Sequence, residues 1–194
     1  MSARPAAGPG GAVRYAWHES PIGRLLVAKD DVAVRHIAIP DRDPVQADSP
    51  RRGAEGSAEP APGPEWRRDD AGLAREVAEL EAYFAGELRE FEMAVEPEGT
   101  PFRRRVWDAL ARIPYGETWS YGELAREAGL GRGASRAVGA ANGANPVAIV
   151  LPCHRVIGAD GRLVGYGGGL DRKAWLLAHE RGAPLFSPPT RLPD

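Results

Sequence analysis

The sequence predicts an α/β chain in which a small antiparallel sheet comes first and helices dominate the remainder. Three observations carry this expectation. Residues 13–39 alternate imperfectly between apolar and polar, helical spacing takes over from Asp70, and residues 120–142 hold two short helical stretches around a glycine-rich turn.

A chain of 194 residues with 43% hydrophobic residues can fill one sizeable core or two small ones. No stretch approaches the roughly 18 consecutive apolar residues of a membrane span, and the opening Ala, Gly and Pro run lacks the apolar segment of a signal peptide. A cytoplasmic location with no membrane association is expected. One cysteine fits a reducing compartment. The formal net charge of −2 makes no global case for nucleic acid, but residues 1–100 carry 12 basic and 19 acidic groups while residues 101–194 carry 13 and 8. The C-terminal half can therefore meet phosphate, or simply carry an uneven surface.

Within 13–39, Tyr15 and Trp17, Leu25 and Val27, and Val32, Val34, Ile37 and Ile39 read as short strands separated by turns at 21–23 and 29–31. Residues 1–12 are expected to be disordered, and so is an insertion at 41–69, where prolines interrupt Gly, Ser and charged residues. From Asp70, Leu73, Val77, Leu80 and Phe84 share one helix face, which Gly86 ends. A second helix from Pro101 to about Ile113 buries Phe102, Val106, Leu110 and Ile113 and leaves Arg103, Arg104 and Arg105 solvated. Ser120 and Glu123 form a capping-box pattern that starts a helix running to about Ala128. Another runs from Ala134 to Asn142.

These two helices suggest a helix-turn-helix, although hairpins that bind nothing share the pattern. Ala134, Ser135, Ala137, Gly139, Ala140 and Ala141 are all small, with Arg136 the long exception. Such a helix either packs closely on a neighbour or enters a narrow groove with Arg136 projecting. Asn145-Pro146 ends the helical geometry, and Val147 to Leu151 reads as a buried strand leading to Cys153. Gly165-Tyr166-Gly167-Gly168-Gly169 is bare main chain, either a loop or backbone that must touch a flat ligand. Asp171 is placed to cap a last helix ending near Glu180. A carboxylate there opposes the helix dipole, which suggests another duty. Residues 183–194 read as a proline-rich tail.

Cys153 has no second cysteine, which rules out an internal disulfide and the usual thiolate set of a structural zinc site. Packing or nucleophilic chemistry remain. Its context is Pro152-Cys153-His154-Arg155-Val156, with Asn145-Pro146 upstream, Gly165-Tyr166-x-Gly168-Gly169 downstream and Trp175-Leu176-Leu177-x-x-Glu180 beyond. Together with Thr100-x-Phe102, Val106-Trp107, Ile113-Pro114-x-Gly116 and Ser120-Tyr121, this pattern resembles the O6-alkylguanine-DNA alkyltransferases over about residues 98–181.

The resemblance implies a small N-terminal α/β domain, here 13–97, and a mainly α C-terminal domain, here 98–182, that contains the helix-turn-helix and the reactive cysteine. It implies a monomer that binds double-stranded DNA through the minor groove, flips out an alkylated guanine and transfers the alkyl group to itself, with no cofactor and no metal. Activity on O4-alkylthymine stays open. Carried over by position, Cys153 is the alkyl acceptor, His154 its base through a bridging water, and Glu180 the residue that holds His154. Tyr121 donates to the flipped guanine or turns its phosphate, Asn145 ties the recognition helix to the reactive strand, and Arg136 fills the space left by the base. Ala134 and Ser135 accompany Arg136 against DNA, and Val156, Tyr166, Gly167 and Gly168 form the substrate pocket. Arg155 and Lys173 are expected to be structural ion-pair partners.

Neighbours on a regular strand point to opposite faces, so cooperation between Cys153 and His154 requires a tight turn at Pro152. A thiol of ordinary pKa is roughly 3% ionised at pH 7, so full ionisation raises the reactive fraction only about thirtyfold. Placement of the alkyl carbon should matter more. Two other readings stand beside this one. A lesion-sensing DNA-binding protein would not need the cysteine, and a cysteine hydrolase would need an acyl pocket that nothing in the sequence indicates.

Overall fold

In a computed structural model of the chain, residues 11–39 and 62–183 are described. The segments expected to be disordered at 1–12 and 41–69, and the tail at 183–194, fall largely outside them. Strands β1 (Arg14–Ser20), β2 (Gly23–Lys29) and β3 (Val34–Ala38) form an antiparallel meander. The β1–β2 register runs from Arg14 opposite Lys29 to Ser20 opposite Gly23, which sends Leu25 and Val27 to one buried face.

The sheet is mixed rather than purely antiparallel. A two-residue strand β4 (Arg67–Arg68) runs parallel to β1 at the edge, giving the order β3-β2-β1-β4. Residues 62–69, expected to belong to the flexible insertion, are therefore ordered. The physical reason is Trp66, whose ring packs on His36 with centroids 5.1 Å apart and gives an otherwise polar segment something to bury.

A 3-10 turn at Ala71–Leu73 leads into α1 (Ala74–Phe84), and Gly86 ends that helix region with φ 79°. Helix α2 (Pro101–Leu110) starts where Thr100 accepts from Arg103 N–H and Pro101 supplies a preset φ. It stops three residues short of the expected Ile113. Its Val106, Trp107 and Leu110 are buried, and Trp107 Nε1 donates to Ala141 O at 2.9 Å, joining α2 to the helix that precedes the cysteine.

The capping box of Ser120 and Glu123 opens α3 (Tyr121–Glu127) as expected, with both reciprocal bonds formed. Arg105 and Arg112 donate to the carbonyls of Ala128, Gly129 and Glu127. Arg105 is thus a cap for the carbonyl end of α3, not only a solvated side chain. A 3-10 turn at Arg132–Ala134 precedes α4 (Ser135–Gly143).

Val147 to Leu151 is a chain of turns, not the expected strand. Only Val147 makes a β-bridge, to Ile37, and the fully buried Ile149 sits at φ 73°. A β-branched residue in that region costs about 1–3 kcal/mol of local strain, which its burial offsets. Beyond it lie β6 (Val156–Ile157), paired in parallel with β5 (Trp119–Ser120), and α5 (Leu170–Glu180). Asp171 lies in the first turn of α5 rather than at its cap, which is Gly169 at φ 95°, a conformation that only glycine adopts without strain. No helix among the described residues is long and apolar enough to cross a membrane.

Candidate active site

Cys153 opens a one-turn 3-10 helix, Cys153–Arg155, that begins directly after Pro152. That turn is the break in strand geometry that joint action of Cys153 and His154 requires. Cys153 lines a cavity of about 260 Å³, whereas His154 points into the protein and is fully buried. The cavity lies between residues 36–39 around β3, residues 142–148 at the end of α4 and the adjoining turn, and the glycine segment 165–168.

Asn145 sets the turn. Its Nδ2 donates to Leu151 O at 2.7 Å and its Oδ1 accepts from Val147 N–H at 3.0 Å, so one amide closes the loop from both sides. Its side chain also faces the thiol, and it therefore ties the end of α4 to a set of turns leading to Cys153, in place of the expected strand. The partner strand enters from the other side: Ile37 N–H donates to Pro146 O and Ala148 N–H to Ile37 O, both at 2.9 Å.

Behind Cys153, Glu180 gathers the buried polar groups. Its Oε1 accepts from His154 Nε2 at 2.8 Å, from Tyr83 Oη at 2.8 Å and from Arg155 Nη2 at 3.0 Å. Its Oε2 accepts from Arg155 Nε at 2.9 Å and from Gly116 N–H at 3.1 Å. This is the duty that holds a carboxylate at the unfavourable end of α5. Burial alone would push its carboxyl up, but the hydrogen bonds from His154 and Arg155 and the Arg155 charge overcome that and hold it well below the usual range. Gly116 has φ 77°, and a Cβ there would stand 3.2 Å from Glu180 O, so the close approach needs glycine.

Burial lowers the pKa of His154 further than Glu180 raises it, so the imidazole is neutral at physiological pH. A carboxylate only accepts, which places the imidazole proton on Nε2 and leaves Nδ1 as a lone pair. Nδ1 is buried and makes no hydrogen bond among the described residues. Burial pushes the Cys153 thiol up, opposed by the Asn145 amide and the Lys173 charge. Lys173 is fully buried and donates to Val156 O and to Val164 O, so among the described residues it pairs with no acid, contrary to expectation, and sits as a buried cation on two carbonyls. Burial lowers its pKa to about 8, against the pull of Cys153. Arg155 does form the expected pair, with Glu180, and also donates to Ile113 O.

The remaining expected site residues fall in two groups. Tyr166, Gly167 and Gly168 line the cavity, and Tyr121 sits beside it, with its hydroxyl donating to Val164 O at 3.3 Å and its ring against Gly139. Val156 does not line the cavity. It is fully buried behind the wall with its carbonyl held by Lys173, because Val156 already belongs to β6. Ala134, Ser135 and Arg136 lie at the start of α4, outside the cavity wall, with Arg136 exposed. Sequence reasoning missed Tyr83, the Gly116 amide, the His36–Ile39 wall and Asn142, which is buried with Nδ2 3.5 Å from Cys153 O. Only Gly116 carried a signal, as a matched glycine whose task was not visible.

A cavity-lining thiol backed by a neutral histidine and an anionic carboxylate defines a protein that acts through a cysteine nucleophile. Residues 13–97 match the family described as 6-O-methylguanine DNA methyltransferase, ribonuclease-like domain, and residues 101–182 match its DNA binding domain. A methylated-DNA–protein-cysteine methyltransferase from Mycolicibacterium paratuberculosis is 49% identical over 169 residues, covering 87% of this chain and 93% of the relative. One from Methanosarcina acetivorans is 44% identical, covering 86% and 97%. Among solved structures, Mycobacterium tuberculosis O6-methylguanine methyltransferase aligns with a TM-score of 0.72 at 43% identity, covering 89% of this chain and 94% of that one. A Mycobacterium tuberculosis OGT in complex with DNA aligns with a TM-score of 0.70 at 44% identity, covering 89% and 95%. The chain belongs to the 6-O-methylguanine DNA methyltransferase family.

Proposed function

We infer that this protein repairs DNA by transferring the alkyl group of O6-alkylguanine to Cys153, once per molecule. The observation that carries the reading is the cavity-facing Cys153 with the His154–Glu180 pair directly behind it. His154 Nδ1 takes the thiol proton through one bridging water, and the imidazolium so formed is stabilised by Glu180. Sulfur then attacks the alkyl carbon, the carbon–O6 bond breaks, and its electron pair stays on guanine, which takes up a proton. The Tyr121 hydroxyl beside the cavity supports a donor role towards that base or its phosphate.

Because burial raises the thiol pKa, the resting group is neutral, and ionisation belongs to the reaction step. Rate must then come mainly from in-line placement and from stabilising charge on the leaving base. Lys173 supports the thiolate as it forms. The product thioether has no leaving group for water, hence the single turnover.

DNA is the partner of this activity. We assign α3, the 3-10 turn and α4 to a helix-turn-helix, with Ala134, Ser135 and Arg136 at the minor groove. The small side chains of α4 and the exposed Arg136 support that assignment. The charge split between chain halves agrees with a division into a sheet-bearing unit at 13–97 and a DNA-binding, transferring unit at 98–182. A reducing cytoplasm with access to the chromosome is the setting this activity requires, and it needs no cofactor and no metal.

The test is intact mass after mixing stoichiometric protein with duplex DNA containing O6-methylguanine. A gain of one methylene unit on Cys153, capped at one per protein and absent in Cys153→Ser, is the expected result. Unchanged mass with tight lesion binding would sink the transfer reading in favour of a lesion sensor.

A further inference from the structure

Tyr83 lies in the last turn of α1, 97 positions before Glu180, yet its hydroxyl donates to Glu180 Oε1 at 2.8 Å. That same oxygen receives His154 Nε2–H. The Tyr83 ring is fully buried, with Phe84, Tyr115 and His179 at its edges and Phe91 tilted against it, all with centroids between 5.3 and 6.2 Å. So confined, the hydroxyl cannot swing to another partner. Burial, with the neighbouring Glu180 charge, pushes the phenol well above its ordinary value, which keeps it a donor throughout the working pH range.

We propose that Tyr83 is a positioning residue for alkyl transfer: its hydroxyl fixes and partly neutralises the Glu180 oxygen that orients His154. The N-terminal half thereby sets how strongly the imidazole holds a proton. This rests on the reading of His154 as the base. The groups that face Glu180 are Tyr83 from α1, Tyr115 from the loop after α2, and His154 and Arg155 from the reactive turn; those that act on His154 are Glu180, Arg155 and Lys173. Of these, only Tyr83 is a neutral donor that competes with His154 for Oε1. Without its hydroxyl, Oε1 offers more charge to Nε2–H, and His154 becomes more basic.

The experiment tracks single-turnover transfer from an O6-methylguanine duplex to full-length protein between about pH 5 and 9, where the acidic limb reports the base. In Tyr83→Phe the limb should move up by about half to one pH unit, and the rate below neutral pH should fall roughly threefold to tenfold. The dissociation constant for DNA should stay within about twofold of the parent. A second protein with 2,3,5-trifluorotyrosine at position 83 keeps the ring and hydroxyl but donates more strongly, and should move the limb down. A purely structural role would lower the melting temperature and leave both limbs where the parent has them, and that result overturns the proposal. Should Tyr83→Phe not fold, the fluorinated protein decides alone. A parent protein that gains no methylene overturns the transfer reading itself.

Discussion

Replacing Glu180 by Gln removes one charge and keeps the shape, and the surrounding contacts dictate the outcome. Arg155, 6% exposed, loses its carboxylate partner and becomes a buried cation without an anion. Breaking such a pair from one side costs about 3–5 kcal/mol, a large share of the roughly 5–15 kcal/mol that holds a domain together. The amide must turn its oxygen to Arg155, which leaves its NH2 facing His154 Nε2. The imidazole then accepts at Nε2 and carries its proton on Nδ1, the wrong tautomer for a base. In a serine-protease triad the equivalent tautomer error costs about 10⁴ in rate, and a loss of at least about 10³ in transfer is expected here. DNA affinity should change little, because Glu180 is buried behind the cavity. The assay is single-turnover transfer at low temperature, where the variant stays folded, with DNA affinity measured by anisotropy on the same sample. A folded variant that transfers within about threefold of the parent rate would remove Glu180 from the machinery. There is also a pH signature. The folded-state pKa of Glu180 is depressed, so its contribution is present above the ordinary carboxyl value of about 4.3 and is lost as pH falls towards the depressed one. The stability gap between parent and variant should therefore narrow below about pH 4.

Lys173→Met should raise the pH at which Cys153 reacts with a small alkylating reagent, since the cation that favours the thiolate is gone; an unmoved thiol titration would contradict the assigned role. Because Lys173 has a pKa lowered to about 8, folding gains as pH climbs past that value, and the parent should gain on Lys173→Met in chemical denaturation at alkaline pH. Ser120→Ala breaks the capping box and should cost about 0.5–2 kcal/mol in urea unfolding without abolishing transfer. A cost below a few tenths of a kcal/mol would show that α3 is held by packing alone.

The readable part of the sequence is the local part. Alternation marks β1 to β3, the Ser120–Glu123 pair marks the start of α3, and the spacing from Leu73 to Phe84 marks α1, because each signal lies within a few residues of its consequence. The stretch 147–151 reads as a strand because apolar composition alone cannot distinguish a strand from buried turns. The Asn145 amide closing on Val147 and Leu151, with Ile149 at φ 73°, decides for turns. β4 is invisible, since two arginines carry no periodicity and their place beside β1 depends on Trp66 packing against His36. At the site, Cys153, His154 and Glu180 can be named from the family pattern. The donors that complete Glu180 come from 64 and 97 positions away, and no spacing rule joins Tyr83 or the Gly116 amide to it. Lys173 misleads for a similar reason: from sequence a lysine suggests an acid, whereas the fold offers it two carbonyls.

The pairing of β3 with the reactive turn has a second effect. An outer strand normally presents unsatisfied amides and carbonyls on which another chain can nucleate. Here β3 spends that edge on Val95 through Val34 and on Pro146, Val147 and Ala148 through Ile37, while on the opposite side β4 covers only Arg14 and Tyr15 of β1. The contacts that hold the nucleophile in place also leave the β3 edge little margin for strand addition, so a substitution that loosens the reactive turn would uncover a template for aggregation along with a misplaced thiol.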